Sequence, residues 1–193
     1  MAGFAIEDLL LKLVARDLPV GQILMLFGGA GALAFAAMAR ARGDAVLSPL
    51  ALAPAVLLRA VFEVAGRTFY TLSLALTSLS ATSAILQATP LVVVAGAALI
   101  FGERVGWRRW LAIVAGFAGV MLILRPGVQG FTALSLLAVA GMLGFAGRDL
   151  ATRAAPAGLS NLTLGVYGFA AMVPAGALVL ALTGGAAVPR PGT

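Results

Sequence analysis

Residues 82–127 read TSAILQATPLVVVAGAALIFGERVGWRRWLAIVAGFAGVMLILRPG, and they contain two apolar runs separated by a charged segment. The runs cover 82–101 and 108–124, close to the ~20 residues with which an α-helix crosses a bilayer. The strands of a membrane β-barrel would alternate apolar and polar residues, and these runs do not alternate. The stretch therefore predicts two transmembrane helices joined by a short charged loop.

The same pattern continues on both sides of this stretch. Further apolar runs cover about 20–39, 56–77, 131–147 and 161–183, and a shorter one covers about 4–15. Of all residues, 62% are hydrophobic and 10% are charged, whereas a soluble domain is ~45–50% apolar and ~25% charged. We therefore predict an all-α polytopic membrane protein with six full transmembrane helices and a truncated first helix.

Two residue types that carry much of enzyme chemistry do not occur in the sequence. The chain has no Cys and no His, so thiolate nucleophiles, His-based hydrolase sites and the commonest metal ligands are excluded. We predict no enzymatic activity and no cofactor. The net charge of +6 could suit nucleic acid, but the basic residues lie in short segments between apolar runs, which is typical of membrane proteins. We therefore expect the bilayer as a partner and no nucleic acid.

The distribution of arginine predicts the orientation of the chain in the membrane. With a cytoplasmic N-terminus, the cytoplasmic loops hold seven arginines: Arg40, Arg42, Arg104, Arg108, Arg109, Arg148 and Arg153. The opposite loops hold three: Arg16, Arg125 and Arg190. Because basic residues concentrate on the cytoplasmic side, we predict a multi-pass protein of the cell (inner) membrane with its N-terminus in the cytoplasm.

A short internal repeat indicates two related units. Residues 7–18 read EDLLLKLVARDL and residues 148–159 read RDLATRAAPAGL, so that Asp8 corresponds to Asp149 at a constant shift of 141. Five apolar runs separate the copies, and an odd number places the units in opposite orientations. Inverted repeats are characteristic of secondary transporters. We predict a first unit over 1–127 and the start of a second unit over 128–193.

The repeat also predicts that the chain is truncated at both ends. The second copy follows the full apolar run 131–147, whereas only seven residues precede Asp8 in the first copy. The second unit stops after its second helix, although the first unit has five. We therefore expect the missing C-terminal helices to be supplied by a full-length chain, or their place to be taken by a homodimer.

Segment 82–127 resembles the end of the first EamA-type unit of the drug/metabolite transporter superfamily. The shared features are Pro90 at the start of the fourth helix, Gly102-Glu103-Arg104 at its cytoplasmic end, and a glycine-rich fifth helix that ends in Arg125-Pro126-Gly127. The resemblance implies a ten-helix secondary transporter, for uptake or efflux, with a small polar or amphiphilic metabolite or drug as substrate. The alternative is a non-transporting membrane scaffold, a partner subunit or a fragment of a ten-helix transporter.

The third span carries three charges with helical spacing, Arg59, Glu63 and Arg67. At 1.5 Å per residue, Glu63 lies about 10 Å and Arg67 about 16 Å from the start of the span. Charges at such depth avoid lipid and are commonly functional, so we predict that Glu63 and Arg67 contact substrate or that Glu63 carries the coupling proton. The alternative is a structural ion pair between them. Arg59, near the edge of the membrane, is expected to extend towards the headgroups.

Three further residues complete the predicted substrate site. Tyr70 follows Arg67 by one helical turn and provides either a stacking surface or ordinary packing. Pro90 lacks an N–H and collides with the carbonyl of Leu86, so the helix should kink there and free backbone carbonyls beside Gln87. Gln87 and Pro90 are therefore predicted to contact substrate, with a buried interhelical hydrogen bond from Gln87 as the alternative.

Small residues predict where helices approach each other closely. Three sets have helical spacing: Gly28, Gly29 and Gly31; residues 115–119; and Gly141, Gly144 and Gly147. We expect each set to form a packing groove, with Gly119 inside one of them.

Overall fold

The computed structural model describes residues 9, 11–15, 18–124 and 134–183. Seven α-helices lie within these ranges: α1 Val20–Ala41, α2 Pro54–Leu76, α3 Leu79–Leu86, α4 Thr89–Phe101, α5 Trp107–Leu124, α6 Ser135–Arg153 and α7 Asn161–Thr183. A 3-10 helix, Pro49–Leu52, precedes α2. The described residues contain no strand, and the predicted all-α class is confirmed. Asp8, Arg16, Arg190, the motif 125–127 and the unit boundary at 127/128 lie outside these ranges.

Three segments are long and apolar enough to cross a membrane by length and composition: α1, the stretch Leu79–Phe101 that contains α3 and α4, and α7. Helices α2 and α6 have 23 and 19 residues, but both carry several charges. The molecule is thus a partial polytopic helical bundle.

Helices α1 and α7 form an antiparallel pair whose contacts are made by glycines. A Cβ atom built on Gly21 would lie 2.6 Å from the carbonyl oxygen of Gly176, and one built on Gly28 would lie 2.7 Å from the Cβ of Met172. Real Cβ atoms do not come so close, so the backbones here approach to a distance that only glycine allows. The predicted groove at Gly28 and Gly31 is therefore present, although Gly29 of the same set faces open space.

Helices α2 and α6 form a second antiparallel pair of the same kind. Gly144 faces Gly66 backbone to backbone, Gly141 faces the backbone of Tyr70, and Gly147 lies against the ring of Phe62. The groove predicted at 141–147 is present. The expectation for Gly119 is wrong, because a Cβ atom there would meet no described atom within 4 Å. On α5 it is Gly116 that packs closely, against Leu91.

The predicted kink in the fourth span is a short interruption of the helix at Gln87 and Ala88, whose backbone keeps right-handed helical angles. α3 ends at Leu86, and α4 begins at Thr89 with Pro90 in its first turn. Proline is well accommodated there, since the first turn has no intrahelical acceptor for its missing N–H. Ser78 caps α3 with its side chain, which starts this span three residues earlier than the apolar run indicates.

Contacts between residues at the helix ends place the ends of α1, α4 and α6 and the start of α7 on the same side of the bundle. Glu103, after α4, pairs with Arg153 at the end of α6 at 2.8 Å. The Thr163 hydroxyl of α7 donates to the carbonyl of Ala45, after α1. At the opposite end, the Lys12 ammonium donates to the last carbonyls of α2, those of Leu74 and Thr77, where a cation is favourable. The helices therefore alternate in direction.

Candidate functional site

A row of polar side chains runs along one face of α2. Arg59, Glu63, Arg67 and Thr71 follow one another at intervals of four residues, so they lie on the same face of the helix. Glu63, Arg67 and Thr71 are buried among the described residues. The face points into the bundle because the neighbouring helices α1, α6 and α7 cover it.

The Glu63 carboxylate lies between two guanidinium groups. Its Oε2 is 3.5 Å from Nη2 of Arg59, one turn earlier on α2. Its Oε1 is 3.2 Å from Nη1 of Arg148 on α6. Only 3% of the Glu63 side chain is exposed, so both contacts are made in a region of low dielectric, where removing one partner is costly.

The two arginines make further polar contacts, and those of Arg59 reach α7. Arg148 donates from Nη2 and Nε to Oδ1 of Asp149, at 2.8 and 2.9 Å. Arg59 donates from Nε to the Thr152 hydroxyl at 3.0 Å and from Nη1 to the carbonyl of Leu164 at 2.8 Å. Arg59, Glu63, Arg148 and Asp149, here called the ion-pair network, thus carry two charges of each sign and connect α2, α6 and α7.

Gly168 of α7 makes room for the ion-pair network. A Cβ atom at this position would overlap Nη1 of Arg59 and would lie 3.3 Å from Oε2 of Glu63. The glycine therefore allows the Arg59 guanidinium to approach α7 closely.

A polar cleft of about 280 Å³ opens at this same end of the bundle. It lies between the segment after α1 and the segment before α7, and its lining includes Asp44, Ser48, Ser160 and Thr163. Thr163 directly precedes Leu164, whose carbonyl accepts the hydrogen bond from Arg59. The cleft is thus lined by the residue that precedes a hydrogen-bond partner of Arg59.

Arg67 lies one helical turn further along α2, between aromatic rings of two other helices. Its guanidinium carbon is 4.1 Å from the ring centroid of Phe27 on α1 and 5.5 Å from that of Phe145 on α6. A cation over an aromatic face contributes about 2 kcal/mol when both groups are desolvated. Tyr70 meets the same Phe145 ring edge to face, with centroids 5.9 Å apart. The aromatic side chains hold Arg67 in place near the middle of the helix.

The structure separates the five predicted site residues into two groups. Glu63, Arg67 and Tyr70 are buried together on α2. Gln87 and Pro90 are exposed at the break between α3 and α4, on either side of the buried Ala88. A contact of these two residues with substrate stays a prediction.

Two members of the ion-pair network were missed or misplaced by the sequence reasoning. The expectation that Arg59 extends towards the headgroups is wrong, since only 11% of its side chain is exposed and it points towards α6 and α7. The apolar run ends before Arg148 and therefore predicts a loop at this residue, whereas α6 continues to Arg153. The position of Arg59 four residues before Glu63 is the sequence signal from which its pairing with Glu63 could have been predicted. No sequence signal connected Arg148 with Glu63.

The model of the EamA-like transporter family matches residues 1–125. This chain belongs to the EamA-like transporter family. Among curated EamA-type relatives, a riboflavin transporter of Rhizobium johnstonii is 33% identical over 137 residues, which cover 71% of this chain and 45% of the relative.

Two further relatives match over shorter segments. A riboflavin transporter of Vibrio cholerae is 43% identical over 54 residues, 28% of this chain and 18% of the relative. An S-adenosylmethionine uptake transporter of Rickettsia prowazekii is 30% identical over 74 residues, 38% of this chain and 25% of the relative. The chain thus spans less than half the length of these EamA-type relatives. No solved structure matches it.

Proposed function

We propose that this protein acts in the secondary transport of a small polar or amphiphilic metabolite across the cytoplasmic membrane, with the polar face of α2 bordering the substrate path. The observation that carries the proposal is the burial of Glu63 and Arg67 inside a helix of an EamA-family membrane protein. Ionisable groups at this depth are expensive, and they mark substrate and ion pathways in membrane proteins. Glu63, Arg67 and Tyr70 are the proposed substrate-contacting residues of this face.

The names of the relatives support a substrate class. Riboflavin and S-adenosylmethionine, named for the transporters that match, both join a flat heteroaromatic ring system to a polar chain. A buried guanidinium with aromatic neighbours suits such a molecule, because it offers hydrogen-bond donors beside apolar ring surfaces. We propose a metabolite of this kind as the substrate.

The helix boundaries support the proposed division into two inverted units, 1–127 and 128–193. A shift of α1 by the repeat distance of 141 gives residues 161–182, and α7 covers Asn161–Thr183. The correspondence thus extends over a whole helix beyond the 12-residue segments in which the repeat is visible. The two helices run in opposite directions, as an inverted repeat requires.

We further propose that the end of the bundle with the polar cleft faces the cytoplasm. The chain has no native cysteine, so the labelling of a single introduced cysteine shows directly on which side of the membrane that residue lies. In intact cells, a membrane-impermeant maleimide should label the exposed position of Ser78→Cys, between α2 and α3, and should not label Val105→Cys, between α4 and α5. Labelling of Val105→Cys alone would reverse the orientation.

The function is tested by uptake into proteoliposomes. We expect vesicles that contain the protein to accumulate radiolabelled riboflavin or S-adenosylmethionine at least fivefold above protein-free vesicles, and a pH gradient to change the rate if Glu63 carries the coupling proton. Circular dichroism confirms that the reconstituted protein is helical.

The alternative is a membrane partner that transports nothing by itself. It predicts folded protein with no uptake of either compound under any gradient.

A further inference from the structure

Thr71 of α2 has a buried hydroxyl group without a hydrogen-bond partner among the described residues. The residue is 0% exposed, and the unpartnered atom is its Oγ1. A buried polar atom without a partner costs about 1–3 kcal/mol. Such an atom inside a membrane bundle, where water is scarce, therefore requires an explanation.

Other helical threonines show that a partner was available to Thr71. Thr68, Thr152 and Thr183 each donate to the carbonyl of the residue four positions earlier, at 2.7–2.8 Å. This bond is the usual solution for a threonine in an apolar helix. The equivalent acceptor for Thr71 is the carbonyl of Arg67. The Thr71 hydroxyl does not make this bond.

The position of Thr71 connects this hydroxyl with the proposed substrate path. Residues four apart on a helix have Cβ atoms about 5–6 Å apart, so Thr71 is the next side chain after Arg67 on the polar face. Beyond it, α2 continues with Leu74, which packs in an apolar cluster with Leu11 and Ile23. Thr71 is thus the last polar group of the row before apolar packing begins.

We infer that Thr71 is a specificity-determining residue whose hydroxyl donates a hydrogen bond to the transported metabolite. The Thr71 hydroxyl can donate one hydrogen bond, one helical turn from the positive charge of Arg67. The matching ligand chemistry is a polar edge with an acceptor, such as a carbonyl oxygen, a ring nitrogen or a carboxylate. Binding of such an edge would supply the partner that the hydroxyl lacks. This inference rests on the proposed transport function.

The test compares three variants of the full chain in proteoliposomes, with whichever of riboflavin and S-adenosylmethionine the unmodified protein takes up. Thr71→Val keeps the shape of the side chain and removes the hydroxyl. We expect it to raise KM at least fivefold and to leave the melting temperature without substrate equal or higher, because an unpaired buried polar atom is lost. Thr71→Ser keeps the hydroxyl and should retain a KM within twofold of the unmodified protein.

The matched control is Thr68→Val, three residues earlier on the same helix. Its hydroxyl is satisfied by Val64, so its loss should leave KM unchanged. A KM for Thr71→Val within twofold of the unmodified value would overturn the inference while leaving the proposed function intact. If Thr71→Val does not fold, Thr71→Ala takes its place with the same criterion. Absence of uptake by the unmodified protein would instead overturn the proposed function, and the inference with it.

Discussion

Gly144→Leu is expected to separate α2 from α6 and to leave no folded protein, whereas Gly119→Leu is expected to fold normally. A Cβ atom on Gly144 would lie 2.6 Å from the backbone nitrogen of Gly66 and would overlap its Cα. Overpacking usually costs about 1–3 kcal/mol because neighbouring side chains can shift. The colliding atoms here belong to the backbone of a second helix, so the helices themselves must move apart. The ion-pair network between them would then lose its geometry.

The control substitution introduces the same side chain into another glycine-containing helix. Gly119 of α5 faces open space in the described structure, and leucine is a better helix former than glycine by almost 1 kcal/mol. The measurement is the yield of monodisperse protein in mild detergent and its melting temperature. A Gly144→Leu protein that elutes and melts like the Gly119→Leu protein would contradict the close contact between α2 and α6.

The comparison of these two glycines shows how far the sequence specifies the packing. Hydropathy and run length predict which segments are helices, because burial of apolar residues in lipid dominates their energy. A set of small residues predicts that a helix has a face suited to close approach. It does not predict whether another helix lies opposite, because that depends on the arrangement of all helices. Gly144 and Gly119 therefore look alike in the sequence and differ in the structure.

The same limit applies to the candidate site. The burial of Glu63 follows from its position inside an apolar run, and the sequence alone predicts it. The sequence alone does not predict the partners of Glu63, because the long side chain of an arginine can extend outward to headgroups or inward to a carboxylate. Arg59 turns inward because α7 offers the carbonyl of Leu164 and the space beside Gly168. Neither feature is adjacent to Arg59 in sequence.

Glu63→Gln is expected to destabilise the protein strongly, and a second substitution is expected to rescue it only at the correct arginine. The neutral amide leaves the largely buried guanidinium group of Arg59 and the partly exposed one of Arg148 without the carboxylate between them, and loss of one partner of a buried pair typically costs about 3–5 kcal/mol. Arg148 keeps its bonds to Asp149, so the uncompensated charge is mainly that of Arg59. Addition of Arg59→Met removes this charge and should recover most of the lost stability.

Addition of Arg67→Met to Glu63→Gln should recover none of the lost stability. Arg67 lies on the same face of α2, but its guanidinium is placed against Phe27 and Phe145, so its removal leaves the excess charge at Arg59 untouched. Melting temperatures of the single and double variants form a double-mutant cycle that isolates each coupling. Equal rescue by Arg59→Met and Arg67→Met would contradict the arrangement of the ion-pair network.

Uptake by the rescued double variant then separates a structural network from a functional one. If the network only holds α2 to α6 and α7, the folded Glu63→Gln/Arg59→Met protein should take up substrate at the normal rate. We expect less than a tenth of that rate, since Glu63 lies on the proposed substrate path, where a charge that changes partners or protonation during transport cannot be replaced by an amide. Normal uptake by a stably folded double variant would assign Glu63 to structure alone. The proposed substrate path would then border the polar face of α2 only from Arg67 onward.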